Sequence, residues 1–499
     1  MKKIIIAIIF SPLLMGCGEN FLNIDPSDQY SAETFWKTEE HAMAGLTGCY
    51  TTLRSLAFWS TEMDMLTPNA VAYNESQGTR TISEGSHTPT TQLIVGRWRI
   101  CYEGIGRTNT LLDKIEQVQT NEEFKSRVTA EAKFLRAFYY HSLVDVFGGV
   151  PLILEAPDAD KHADLPRDSK EAVISAILND LDDAIQDLPV EVQDDEMGRA
   201  TKGAALALKS RLLLYNERWA EAASTAKEIM DLNTYSLFQD YRGLFMLENE
   251  GNSEVIWDIQ FKLPEYTHGL DHTSILLGRP AMVKEFVESY LMEDGKPASE
   301  SVLFDPENPY ENRDPRLYQT VRLIGTMFNG SITTPEDVAE TGFGLKKYTS
   351  YPDSISIPTV GQGRSEVNMI VARYAEVLLT YAEAQNEAVG PDPSVYEAIN
   401  KLRRRESVAL PELEPGLTKE EMREVIRHER RIELALEGLY YSDIRRWGIA
   451  HIVNNGPVYD HEGNIYQYKA FDEDRDYLWP IPYVQIQENP NLEQNPNWF

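Results

Sequence analysis

The chain has 499 residues, 42% of them hydrophobic, which is enough to bury a large core. Its 79 acidic residues against 47 basic ones give a formal charge of -32, and that sign excludes nucleic acid as a partner because phosphates would be repelled. After the N-terminal leader no apolar stretch reaches the length of a membrane-spanning helix, so residues from about 20 onward are expected to be soluble.

Lys2 and Lys3 form a short basic start, followed by an apolar run over 4–14 that contains Pro12. The run is too short to span a bilayer and has the form of a signal peptide. It ends in Leu14-Met15-Gly16-Cys17, a small residue directly before a cysteine with leucine two places earlier, which resembles a bacterial lipobox. On that reading residues 1–17 are a lipoprotein signal, Cys17 is lipidated, and the mature chain is anchored to a membrane rather than spanning it. Cys49 and Cys101 sit among apolar helical positions, where either two buried thiols or a disulfide fits.

Helical signals follow in chain order. After Thr38, the residues Ala42, Leu46, Cys49, Tyr50 and Leu53 recur at three- and four-residue steps. Trp98, Cys101, Tyr102, Ile105, Leu112 and Ile115 repeat the pattern, as do Val128, Ala132, Leu135, Tyr139 and Val146 before Gly148, Gly149 and Pro151. Asp168 with Glu171 predicts a capping box ahead of Val173, Ile177, Leu181 and Ile185. Thr201 is the expected cap of a helix carrying Ala205, Leu208, Leu212 and Tyr215, and Trp219, Ala222, Ala226 and Ile229 form the next. Two such helices in about 34 residues resemble a tetratricopeptide unit, and a second pair is predicted over 374–388 and 395–404. Residues 255–259 form a plausible strand. Segments 58–92 and 262–365 read as long irregular stretches, which in compact domains are often functional.

The chain has no Gly-x-Ser-x-Gly elbow and no His-Glu-x-x-His helix. Gly198 to Gly203 has phosphate-loop spacing, but Ala204 stands where lysine is needed. His268 and His272 are four apart in a loop context, and Asp472, Asp474 and Asp476 alternate as in a calcium loop but lack its glycine and its glutamate. Neither predicts a metal site. With 79 acids, carboxylate pairs suited to glycoside hydrolysis are everywhere and therefore uninformative. The run 427–437, with Glu429, Arg430, Glu433 and Glu437 at helix-turn spacings, is expected to be a structural ion-pair network together with Asp443, Arg445 and Arg446. Arg403, Arg404 and Arg405 receive the same reading.

Taken together, several blocks resemble the SusD/RagB family, the outer-membrane nutrient-binding lipoproteins of Bacteroidetes. They are Cys17 with Phe21-Leu22-Asn23-Ile24-Asp25-Pro26, Ala130-Glu131-Ala132-Lys133-Phe134-Leu135-Arg136-Ala137, and Phe147-Gly148-Gly149-Val150-Pro151. Arg373-Tyr374-Ala375-Glu376, Ala382-Glu383-Ala384, Glu429-Arg430-Arg431-Ile432-Glu433-Leu434 and Arg445-Arg446-Trp447 follow in order, then Trp479-Pro480-Ile481-Pro482 and Asn489-Pro490-Asn491-Leu492. The resemblance implies a mainly α fold in which four tetratricopeptide-like helix pairs support a loop-rich half with a few short strands. Residues 18–499 would form one compact unit: helical scaffold over about 30–240 and 366–450, a loop-rich ligand-binding part over about 241–365, and a C-terminal segment over 451–499. It further implies an outward-facing, lipid-anchored protein on the outer membrane, hinged over a TonB-dependent transporter of the SusC type, with ligand held at their junction.

A glycan site needs exposed aromatic planes and a polar rim. On composition, the loop after the first helix offers Trp59, Asn69, Tyr73, Asn74 and Arg80, and the middle loops offer Tyr266, His268 and Asp271. No catalytic residue, metal or cofactor is expected. Peptide binding within the same architecture, a surface glycoside hydrolase, and a repeat scaffold that only organises other proteins are the competing readings.

Overall fold

The structure, a computed structural model, describes residues 35–72, 77–276 and 278–498, with only the backbone at 57–61. The leader, Cys17 and the 21–26 block lie outside the described residues. Helix α1 (Glu39–Thr51) starts where the Thr38 hydroxyl accepts the His41 N–H, and α2 (Leu53–Met63) follows almost without a break because Thr52 stays right-handed. Then come α3 (Gln92–Lys114), α4 (Glu122–Phe147), α5 (Lys170–Asp187), α6 (Lys202–Tyr215) and α7 (Trp219–Leu232). After a long insertion the helices resume with α8 (Tyr374–Ala388), α9 (Pro393–Arg403), α10 (Lys419–Glu433) and α11 (Tyr440–Arg446).

These helices stack in sequence. Each of α3 to α7 packs on the next, and α7 packs directly on α8 although an insertion of more than a hundred residues separates them in the chain. The interhelical seams are built from small residues facing aromatics. Gly104 of α3 is one: a Cβ there would lie 2.4 Å from the Tyr139 ring of α4. That close approach lets the Tyr139 hydroxyl donate to the Cys49 carbonyl of α1 at 2.7 Å. Cys49 and Cys101 are both buried and unpaired, and burial raises each thiol to about 12.

Both predicted helix pairs form, and Thr201 caps α6 through the Ala204 N–H at 3.2 Å. The cap of α5 is displaced by one residue. Ser169, not Asp168, accepts the Ala172 N–H, because the Asp168 carboxylate is drawn back to the Leu152 N–H at 2.8 Å. Segment 58–92 is less irregular than expected: it holds the end of α2, the strand Ala70–Val71 and the short helix Thr79–Ser83.

The insertion leaves and returns along one antiparallel ladder, β1 (Val255–Ile259) with β2 (Met369–Arg373). Inside it, regular structure is limited to two- and three-residue ladders and short helices. A terminal hairpin, β3 (Gly456–Tyr459) with β4 (Ile465–Lys469), closes over the 64–72 segment. There the Lys469 ammonium donates to the carbonyls of Met65 at 3.0 Å and Ala70 at 2.9 Å, and to Thr67.

The charged run at the end of α10 is structural, but its pairs reach between elements rather than along one helix. Glu433, fully buried, accepts from Arg316 at 2.9 Å and from Arg373 and Arg405 at 2.8 Å each. Glu437 takes Arg373 and Lys347, both at 2.7 Å, and Glu429 takes Arg316 at 2.5 Å. Asp443 joins Arg430 at 2.7 Å and Arg446 at 2.9 Å. Of the 403–405 triplet, Arg403 and Arg405 belong to the network, while Arg404 pairs at the surface with Glu397 at 2.6 Å.

Burial alone would raise the Glu433 carboxyl, yet the guanidinium groups of Arg405, Arg373 and Arg316 hold it well below the usual carboxylate range. Glu433→Gln leaves three buried cations short of their shared anion. The expected loss is about 3–5 kcal/mol, read as a lower denaturant midpoint at pH 7. A carboxylate with a depressed folded-state pKa contributes its full stability above the unfolded value and loses it as the pH falls toward the folded one, so the gap between variant and wild type should begin to narrow below about pH 4 and keep narrowing with further acid.

Candidate functional site

The 262–269 loop, the helix Leu270–Leu276 that follows it and the 346–368 loop are bonded to one another, and Tyr266 of the first meets Arg54 of α2. Tyr266 stands at the base of a tight turn, which it closes through paired backbone bonds with Lys262 at 2.6 and 2.9 Å. The residue is 46% exposed, and the Arg54 guanidinium of α2 lies 3.7 Å from its ring centroid. Arg54 is fixed in turn by donating from Nε to the Gln260 carbonyl at 3.2 Å. The result is a rigid aromatic plane backed by a cation. A cavity of about 170 Å³ adjoins it, lined by Tyr50, Leu53, Arg54, Arg199 and Gln260.

Three other candidates are buried and spent on internal bonds. Asn69 donates to Asp64 at 2.9 Å and accepts from Arg431 at 2.8 Å, while Asp64 in turn accepts the Gly438 N–H at 3.0 Å. His268 bridges to the Val367 carbonyl at 2.9 Å and pairs through its backbone with Ser365. Burial lowers the His268 imidazole below its ordinary range, so it sits neutral. Asp271 accepts the Ser350 N–H at 2.7 Å and the Ser350 hydroxyl at 2.8 Å. These side chains have no surface to offer a ligand; they stitch the two long loops to each other and the 64–72 segment to α10.

Arg80 lies on the Thr79–Ser83 helix, with its Nε on Glu84 at 2.8 Å and its side chain 44% exposed. Trp59 lies within α2 rather than on a loop, and its side chain, like all of Tyr73 and Asn74, lies outside the described residues. Arg54 is the residue that composition missed. It sits between the buried Leu53 and Leu56, and nothing in the local pattern separates it from an ordinary solvated helix arginine.

Asp64, Asp258 and Asp271 are all buried and bonded to internal donors. Burial pushes Asp258 up to about 6 and Glu62, despite Arg279 at 2.8 Å, up to about 7. Asp476 of the alternating acidic stretch accepts from the Asp472 N–H at 2.8 Å and from Arg475 at 2.7 Å, and Arg475 also donates to the Gly85 carbonyl at 2.7 Å.

Comparison with known proteins agrees with this architecture. Residues 253–498 match the SusD family, and residues 20–214 match a family described as starch-binding associating with outer membrane. A solved SusD-like carbohydrate binding protein from Bacteroides fragilis is 30% identical, with a TM-score of 0.84 over 92% of this chain and 100% of its own. A SusD-like protein of Formosa agariphila is 26% identical over 97% of each chain. The starch-binding protein SusD of Bacteroides thetaiotaomicron is 25% identical over 85% of this chain and 82% of its own. The helical stack, its interrupted repeat and these matches along almost the whole chain make the protein a member of the SusD/RagB family.

Proposed function

We propose that the protein is a cell-surface lipoprotein that captures oligosaccharides and delivers them, uncleaved, to a TonB-dependent transporter of the SusC type. The observation that carries this reading is the Tyr266 platform. A half-exposed ring held flat by a locked turn and by Arg54 suits the apolar C–H face of a sugar. Relatives whose names record starch or carbohydrate binding support the ligand class. Trp59, Tyr73, Asn74 and Arg80 remain candidates for the rest of the rim. Exposed apolar side chains on the loop-rich half, Met327, Ile332 and Ile355, have the character of a surface that meets another protein. The leader ending in Cys17 supplies the anchor on the outer membrane.

Calorimetric titration of residues 18–499 with starch-derived and other oligosaccharides, each mixture assayed for products, tests the reading. One glycan class should bind saturably with no cleavage, and Tyr266→Ala and Arg54→Ala should each weaken it about tenfold, or about 1.4 kcal/mol. Asn69→Ala should behave in the opposite way. It leaves buried partners unsatisfied and should cost about 1–3 kcal/mol of stability in thermal unfolding, while the folded fraction binds with unchanged affinity. In cells, Cys17→Ala should move the protein from the membrane to the soluble fraction. Product formation, or binding untouched by the Tyr266 and Arg54 changes, would contradict the proposal.

A further inference from the structure

On the core side of α2 lies a cavity of about 90 Å³, lined by Arg97 of α3, His141 and Asp145 of α4, Arg211 and Tyr215 of α6, and Glu437. It adjoins a recess of about 360 Å³ that shares His141, Asp145 and Tyr215 and opens past the exposed Lys170 and Glu217. Its charges do not balance. Arg211 is paired with Glu376 at 2.6 Å. Asp145 is taken by Arg445 at 3.0 Å and by the Ser442 hydroxyl at 2.7 Å. Glu437 is taken by Arg373 and Lys347. Arg97 is left over: it makes no hydrogen bond or ion pair among the described residues, and Asp145, the carboxylate within its electrostatic reach, is already bonded to Arg445.

The unpartnered polar atoms point the same way. The buried Arg97 Nε, Tyr215 hydroxyl and His141 Nδ1 have no partner, and the same holds for Nη1 and Nη2 of Arg430, which lies within electrostatic reach of Tyr215. His141 is 93% buried, 7% exposed, and burial keeps its ring neutral, so it offers one N–H. Donors outnumber acceptors around a guanidinium whose one carboxylate neighbour, Asp145, is shared with Arg445. Water would satisfy the donors but not the charge, and the volume holds about three waters, or one halide-sized ion with one or two waters.

We propose that this cavity binds one small monovalent anion of the halide class, held by the Arg97 guanidinium with the Tyr215 hydroxyl and the His141 ring N–H as further donors. Bound there, the ion neutralises the seam between α3, α4 and α6, and so stabilises the folded chain in proportion to its occupancy.

The test is thermal unfolding of residues 18–499 in sodium bromide against sodium gluconate at constant ionic strength, with bromide-soaked crystals examined for anomalous scattering. The melting temperature should rise with bromide to a plateau, the half-saturating concentration should increase about tenfold in Tyr215→Phe, and Arg97→Met should show no bromide response. An anomalous peak should lie within reach of Arg97. Equal melting in both salts for the wild type, an unchanged response in Arg97→Met, or a cavity without a bromide peak would each overturn the proposal. If Arg97→Met does not fold, the anomalous map of the wild-type chain decides alone.

Discussion

Three arginines from separate parts of the chain converge on the buried carboxylate of Glu433: Arg316 inside the insertion, Arg373 where β2 becomes α8, and Arg405 just beyond α9. Glu254, at the start of β1, bonds Arg373 at 2.6 Å and Arg405 at 3.2 Å, so the point where the insertion departs is tied to the same cluster. Desolvating so many charges is costly, and an apolar core of the same shape would serve stability as well. What the cluster adds is direction. Each guanidinium demands planar acceptors at fixed angles, so the insertion can dock on the helical stack in one orientation only.

That docking decides where the loops can carry function. The 262–269 and 346–368 loops have little regular structure, yet His268, and Asp271 on the short helix Leu270–Leu276, bond them together, while Asn69 and Lys469 hold the neighbouring 64–72 segment. A loop fixed in this way presents Tyr266 with little ordering left to do when a ligand arrives, which favours affinity. The polar residues that look most like ligand contacts by type therefore act one step back, as the frame that positions the exposed ring.

The helices were legible because burial on one face imposes a period that sequence records directly. Thr201, the pair at 374–388 and 395–404, and the strand 255–259 all appear in the structure. The cap of α5 was misplaced by one residue because Ser169 and Asp168 are both good caps, and only the tertiary bond from Asp168 to Leu152 separates them. The ionic character of 427–437 was legible, but its partners were not. Arg316 and Lys347 lie more than eighty residues away, and no local spacing encodes such contacts. The site was the least legible part. Asn, His and Asp in a loop have the same composition whether they face solvent or clamp a neighbouring loop, and Arg54 had no distinguishing context at all.

The claim on which the account rests is that capture happens at the Tyr266 platform, on a frame that stays still. Hydrogen exchange of residues 18–499, with and without a saturating glycan, tests this most directly. The account predicts new protection confined to α2 and the 260–268 turn, with the amides around Glu433 already slow in the free protein. Protection appearing instead in the recess between α4 and α6, or spread through loops that exchange freely without ligand, would contradict it.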